Sequence, residues 1–260
     1  MIYPGLVSIT FRQLKTHEII ELVKRSGLAA IEWGGDIHVP HGDIQTAERV
    51  AKETKQAGLR VAAYGSYYKL GVSEPDLKFE DVLNSAVALN APTVRVWAGD
   101  KASKSVSEHE REKITEDAKR CAKMALKAGV TLTLEYHGNT LTDSTVSAQQ
   151  LMAEIGHSSV CFGWQPPNLR PIDECEDGLR RVMPWLNTIH VFHWADNGQG
   201  KIDRRPLSEG AECWIQYLKL ASCTARDHAA LIEFVRGDST EQFLEDAEVL
   251  KDLIRKCCNI

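Results

Sequence analysis

The sequence lacks any uninterrupted apolar run of about 18 residues, the length that a membrane-spanning helix needs. A protein that crosses the bilayer by helices is therefore excluded. The first residues, Met1 to Ser8, also lack a basic stretch followed by an apolar core and a small-residue cleavage site. We therefore expect the protein to reside in the cytoplasm.

Paired cysteines and an excess of positive charge are also missing. The seven cysteines are scattered, and none stands in a C-x-x-C pair or in the spacing of a zinc ribbon. This pattern is typical of reduced, structural thiols. The formal net charge of -5 would be repelled by a phosphate backbone. Nucleic acid is therefore disfavoured as a partner.

The glycine-rich loops G-x-G-x-x-G and G-x-x-x-x-G-K-[ST], which bind dinucleotides or phosphates, do not occur. The sequence instead alternates β-rich runs with amphipathic helical patterns, at spacings of roughly 25 to 40 residues. These runs are Leu6–Thr10, Ala29–Trp33, Arg60–Tyr64, Thr93–Trp97, Thr131–Tyr136, Val160–Trp164, Thr188–His193 and Ala230–Val235. We predict an α/β fold, a single (β/α)8 TIM barrel in one domain over residues 1–260. An open doubly wound sheet is the alternative, but it would normally carry one of the missing loops.

Two glutamates stand in apolar strands near the strand ends, where a barrel collects its chemistry. Strand alternation turns Glu135 in the fifth run and Glu233 in the eighth toward the inside of the barrel. An unpaired carboxylate in such a place is costly to keep charged, and a metal ion satisfies two of them together. An ion pair of each glutamate with an arginine, such as Arg95 or Arg236, is the other interpretation, and the pattern alone leaves both open.

Two further side chains are candidate metal ligands by the same alternation. His193 ends the seventh run with inward parity, and Gln165, just after the sixth run, offers an amide oxygen suited to a hard cation. An ordinary structural or substrate-contacting role is the alternative for each of them. His190 has the opposite parity, so we expect it to face the helices as a neutral, buried histidine.

At these residues the sequence resembles the xylose-isomerase-like TIM barrels, the sugar phosphate isomerase/epimerase superfamily. The resemblance covers nearly the whole chain. Its motifs, in order, are Gly27-Leu-Ala-Ala-Ile-Glu-Trp33, Leu132-Thr-Leu-Glu-Tyr-His-Gly138, His190-Val-Phe-His-Trp-Ala-Asp196, Arg205-Pro-Leu-Ser-Glu-Gly210 and Leu231-Ile-Glu-Phe234.

The resemblance implies one divalent ion held by Glu135, Gln165, His193 and Glu233. The family commonly has Asp at the position of Gln165, and many of its epimerases have a substrate-binding His at the position of Asn168. Such an oxygen-rich set suits Mn²⁺ or Mg²⁺, with Zn²⁺ or Co²⁺ also compatible.

The function that the resemblance implies is an isomerase or epimerase of a small sugar, keto-sugar or polyol. Glu135 and Glu233 would serve as acid and base around an enediolate. A dehydratase of a keto-inositol or keto-sugar is the alternative from another reaction class. A nuclease like endonuclease IV and a sugar-binding barrel without catalysis are more remote alternatives.

Polar and aromatic residues near the same strand ends are candidates for contact with a small-molecule sugar or polyol substrate. They are Glu32, His38, Tyr64, Trp97, Asn168 and Arg205. Rim packing for the aromatic residues, a capped turn for the strand-two loop and a solvated surface for the arginine are the structural alternatives. The sequence leaves a homo-oligomer open.

Overall fold

Eight parallel strands close into a barrel in the computed structural model, which describes residues 1–72 and 76–258. Their order around the barrel is β1-β10-β7-β6-β5-β4-β3-β2, and β8 and β9 form a separate two-stranded sheet. The ten strands are β1 Ile2–Val7, β2 Ala30–Gly34, β3 Arg60–Lys69, β4 Thr93–Trp97, β5 Thr131–Glu135, β6 Val160–Trp164, β7 Leu186–Val191, β8 His193–Asp196, β9 Ile202–Arg205 and β10 His228–Ile232. The predicted fold, a single (β/α)8 TIM barrel, is confirmed.

Helices separate the barrel strands along the chain, as the alternating pattern predicts. They are α1 Thr16–Ser26, α2 Ile44–Gln56, α3 Phe79–Ala88, α4 Glu108–Lys127, α5 Thr145–Ile155, α6 Ile172–Val182, α7 Ala211–Ser222 and α8 Thr240–Cys258. Local signals set their ends: Gly27 closes α1 with a φ of 69°, and Ser107 caps α4 together with Glu110. In the part of the chain that the structure describes, no helix is both long and apolar enough to cross a membrane.

Contacts divide the chain into two compact units, of which the first comprises Met1–Glu32, Glu53–Arg60 and the chain from Trp164 onward. Within this unit β10 pairs with both β1 and β7. Its core includes an edge-on contact between the rings of Phe11 and Phe243, whose centroids are 5.6 Å apart. Because β1, β7 and β10 are held in register, residues at their carboxyl ends lie at one level.

The second unit comprises Trp33–Lys52 and Val61–Gly163. Within it β4 pairs with both β3 and β5, and β5 pairs with β6. Arg95 in β4 stands opposite Thr133 in β5, two residues before Glu135 at the carboxyl end of that strand. The side chain of Arg95 is 2% exposed, so its charge must be met inside the protein.

The structure differs from the sequence prediction after the seventh barrel strand. The prediction extends this strand to His193, but β7 ends at Val191 and the chain leaves the ladder at Phe192, whose carbonyl oxygen accepts a hydrogen bond of 2.8 Å from Trp214 Nε1. His193 instead begins β8, which pairs antiparallel with β9. This change of direction separates His193 from the strand whose parity was used to place it.

Candidate metal centre

The imidazole of His190 lies between two buried carboxylates in the first unit. Its Nε2 is 3.3 Å from Oε2 of Glu32, and its Nδ1 is 3.4 Å from Oε2 of Glu233. His190, Glu32 and Glu233 are 3%, 0% and 5% exposed, respectively. Water therefore does little to stabilise charge on these side chains. Glu32 is in β2 and His190 is in β7, while Glu233 directly follows β10, which pairs with β7.

The prediction that His190 faces the helices is therefore wrong. Its ring meets carboxylates at both nitrogens, and a carboxylate on one nitrogen is the usual device that orients a metal-binding histidine. His193, the predicted ligand, is half-buried, and its ring packs so closely on Gly210 that a Cβ there would lie 2.5 Å from Nδ1. Burial lowers the pKa of His193, and the charge of Glu209 opposes that shift.

Glu135, at the end of β5, is held by donors within the second unit. Arg95 Nη1 forms a short ion pair with Oε2 of this carboxylate, and Trp97 Nε1 donates to the same oxygen at 2.5 Å. Glu135 is 4% exposed. The ion-pair interpretation is thus confirmed for Glu135 and Arg95, whereas the contact described for Glu233 is His190 rather than Arg236.

Aromatic rings surround the indole of Trp97 beside this ion pair. The ring of His137 stacks on it with centroids 4.5 Å apart, and the ring of Tyr67 meets it edge-on at 5.3 Å. The guanidinium of Arg95 lies 6.0 Å from the centroid of Tyr67. His137 is not among the predicted site residues, although it stands two residues after Glu135 and so has the same parity in an extended strand.

Buried groups that could serve as metal ligands occur in both units. His190 and Glu233 belong to the first unit, with Nδ1 and Oε2 3.4 Å apart, and Glu135 belongs to the second. Two carboxylates and one imidazole are ligands that suit a divalent cation, and a cation compensates buried carboxylates that would otherwise be costly. Such a donor set fits a divalent ion, and ligation by Glu135, Glu233 and the predicted His193 stays a prediction.

The remaining predicted residues lie around the strand ends at different depths. Gln165 is half-buried just after β6, and Asn168 is exposed three residues later. Arg205, in β9, is exposed and lies opposite His193 in the antiparallel pair, with its Nε 4.0 Å from Glu209. His38 is buried, and its ring meets that of Trp33 edge-on at 6.0 Å. Ligation by Gln165 and substrate contact by the other three stay predictions.

Tyr64 shows a structural use of a residue predicted to contact substrate. It is fully buried in β3, its hydroxyl donates to the carbonyl oxygen of Val39 at 2.8 Å, and it lies 2.7 Å from Nδ1 of His41. Burial raises the pKa of Tyr64, which keeps the hydroxyl protonated and able to donate. These contacts fix the loop between β2 and α2.

We expect Tyr64→Phe to lower the free energy of unfolding by about 1 to 2 kcal/mol, because the carbonyl of buried Val39 loses its donor. Urea denaturation followed by circular dichroism measures this loss. Tyr3→Phe is the matched control, since the Tyr3 hydroxyl has no hydrogen bond to any residue that the structure describes, and its ring keeps the contact with Arg60. Equal stability of the two variants would contradict the structural use of Tyr64.

Similarity to known proteins agrees with the fold. The chain is 24% identical to the 3-dehydroshikimate dehydratase of Bacillus anthracis in an alignment 277 residues long, gaps included, that covers 95% of each protein. It is similar to the solved structure of D-psicose 3-epimerase from Clostridium cellulolyticum H10, with a TM-score of 0.73, 14% identity, and coverage of 98% of this chain and 99% of that one.

A third similar protein is a xylose isomerase-like TIM barrel protein from Mycobacterium smegmatis, solved in complex with magnesium. Its TM-score is 0.70 at 16% identity, and the match covers 98% of each chain. At such identities the two solved structures show the fold alone. The family model described as xylose isomerase-like TIM barrel matches residues 20–253. The resemblance predicted from the motifs is confirmed, and the chain belongs to the xylose isomerase-like TIM barrel family.

Proposed function

We propose that the protein is a divalent-metal-dependent enzyme that removes a proton next to the carbonyl group of a small polyhydroxylated substrate, and that the outcome is loss of water. The observation that carries the proposal is the buried imidazole of His190, which lies between the carboxylates of Glu32 and Glu233. Mn²⁺ or Mg²⁺ suits such a set best, and Zn²⁺ or Co²⁺ is compatible with it. The magnesium complex of the similar Mycobacterium smegmatis protein supports a metal at this fold.

The residues of this proposed site fall into two groups, the metal ligands and the residues that orient those ligands. Glu135, His190 and Glu233 are the proposed ligands, and Gln165 is retained as a proposed fourth. Glu32 holds the imidazole of His190 through Nε2, which leaves Nδ1 directed at Glu233. A divalent ion bound there would polarise the substrate carbonyl and stabilise the negative charge that develops as the proton leaves.

The two carboxylates differ in a way that favours dehydration. Arg95 and Trp97 both donate to Oε2 of Glu135, so a proton can occupy that oxygen only if one of these hydrogen bonds is broken. The contact that the structure describes for Oε2 of Glu233 is Nδ1 of His190, an imidazole rather than a guanidinium. We therefore assign proton removal to Glu233 and a fixed, anionic role to Glu135.

This asymmetry separates the two reaction classes. An epimerase needs two groups that exchange the roles of acid and base on opposite sides of the substrate, whereas loss of water needs one base and an acid at the departing hydroxyl. The similarity to a dehydratase over 95% of the chain supports the second class. Isomerisation or epimerisation remains the other candidate, because a D-psicose 3-epimerase is among the similar solved structures.

The mass of the product decides between the two classes. We would incubate Mn²⁺-loaded protein with 3-dehydroshikimate and, separately, with D-fructose and D-psicose, and analyse the products by mass spectrometry and chromatography. Loss of one water supports dehydration, whereas an unchanged mass with altered retention supports epimerisation. Glu233→Gln is expected to lower kcat/KM at least about 100-fold, because it removes the base. Glu212→Gln, an exposed carboxylate in α7, is the matched control. Absence of turnover on all three compounds would contradict the choice of substrates.

A further inference from the structure

Phe234, the residue directly after Glu233, has a backbone conformation that bulky side chains rarely adopt. Its φ is 53°, in the left-handed region, where a Cβ crowds the following carbonyl oxygen. Glycine adopts this conformation freely, and the chain uses glycine for it three residues later, at Gly237. Strained positions of this kind persist where the surrounding structure enforces them, and they concentrate at functional sites.

Contacts from two other segments enforce the conformation of Phe234. Its backbone N–H donates to Oγ1 of Thr10 at 3.1 Å, which anchors the bend to the segment after β1. The guanidinium of Arg204 lies over its ring, 4.6 Å from the centroid, and the ring of Trp194 is 6.2 Å away. Trp194 in β8 pairs with Arg204 in β9, so both side chains lie on one face of this hairpin. That face holds the ring of Phe234.

Arg204 is itself held in place. Its Nη1 donates to Oδ1 of Asp238 at 2.5 Å, and the N–H of Asp238 bonds to the carbonyl of Val235 at 3.3 Å. Phe234 is thereby tied to β9 on one side and to Thr10 on the other. Immediately before the bend, the N–H of Glu233 bonds to the carbonyl of Val191 at 3.0 Å, so the backbone of Glu233 is fixed from both directions.

We infer that Phe234 is a positioning residue, whose enforced bend, held by Arg204 and Thr10, orients the Glu233 carboxylate toward His190. The inference rests on the proposed metal site, since it assigns how one of its ligands is held. It also gives the β8–β9 hairpin a role: the hairpin supplies the cation that holds the Phe234 ring. A glycine at this position would allow the same bend without fixing it.

The test measures Mn²⁺ affinity by isothermal titration calorimetry on the full chain. We expect the dissociation constant to rise about 10-fold in Phe234→Gly and about 5-fold in Arg204→Gln, with Phe234→Tyr close to the unchanged protein because it keeps the ring. Arg255→Gln is the matched control, because Arg255 forms an exposed pair with Asp252 at the same 2.5 Å distance as the pair of Arg204. It should leave the affinity unchanged.

Two further readouts separate positioning from a general loss of structure. The electron paramagnetic resonance spectrum of bound Mn²⁺ should change in Phe234→Gly and Arg204→Gln, and Thr10→Val should reproduce the change if Phe234→Gly does not fold. If the unchanged protein binds Mn²⁺ and these variants bind it as tightly, with the same spectrum, the positioning role is wrong while the metal site stands. If the unchanged protein binds no Mn²⁺, the proposed metal site is wrong and the inference falls with it.

Discussion

His190→Ala is expected to weaken Mn²⁺ binding by about 100-fold or more, whereas His193→Ala is expected to change it less than about 3-fold. His190 presents Nδ1 to Glu233 and is held by Glu32 through Nε2. His193 begins β8, and its ring packs on Gly210. Loss of a residue that only orients a ligand costs 10- to 100-fold in affinity at other metal sites, so loss of the ligand costs at least as much. Isothermal titration calorimetry on the two variants measures the difference.

The pair of histidine variants is its own control, because both remove one imidazole and lie three residues apart. Loss of the imidazole also leaves Glu32 and Glu233 without the contact that they share, so circular dichroism must show that His190→Ala is folded before its affinity is interpreted. Glu32→Gln, which keeps the shape of the side chain, is expected to weaken binding about 10-fold through the orientation of His190. Loss of binding in His193→Ala with retention in His190→Ala would contradict the structural assignment.

The contrast between these histidines shows what alternation in a barrel strand can predict. The bounds of β4 and β6, Thr93–Trp97 and Val160–Trp164, follow from the sequence because both are compact apolar runs bounded by turn residues. In β7, Ile189, His190 and Val191 are all buried. A parallel strand is covered on both faces, so its apolar residues do not reveal which face points inward.

The carboxylates were predictable for a different reason. Glu135 ends β5 and Glu233 directly follows β10, so each is a buried charged residue at the end of an apolar strand and needs a partner whichever face it lies on. The identity of each partner depends on strands that are distant in the sequence: Arg95 reaches Glu135 across 40 residues, and Glu32 reaches His190 across 158. No local pattern encodes such a pairing, so the sequence alone does not choose between a metal ion and an ion pair.

The β8–β9 hairpin was missed because its residues do not form an alternating apolar run. His193, Trp194 and Ala195 are half-buried, and Asp196 is exposed. Its turn is rich in glycine and asparagine, with Asn197 and Asp196 accepting hydrogen bonds from nearby backbone N–H groups. Such a segment is predicted as a loop, although here it pairs in register from His193 with Arg205 to Asp196 with Ile202.

Arg95→Met is expected to lower the free energy of unfolding by about 3 kcal/mol or more in protein freed of metal. The substitution keeps an apolar stem but removes the charge paired with Glu135, a carboxylate that is only 4% exposed. Removal of one partner from a buried ion pair typically costs 3 to 5 kcal/mol, because the other charge stays buried without compensation. Urea denaturation of chelator-treated protein measures the change.

Added Mn²⁺ should restore part of that loss, because a cation that binds only the native state stabilises it by about 2.7 kcal/mol at a concentration 100 times its dissociation constant. The double variant Arg95→Met/Glu135→Gln is also expected to recover part of the free energy of unfolding lost in Arg95→Met, because the buried charge is removed together with its partner. Arg255→Met, which breaks an exposed pair with Asp252, should cost no more than about 1 kcal/mol. Equal losses in Arg95→Met and Arg255→Met would show that Glu135 does not depend on Arg95. A loss in Arg95→Met that Mn²⁺ leaves unchanged would place the ion away from Glu135.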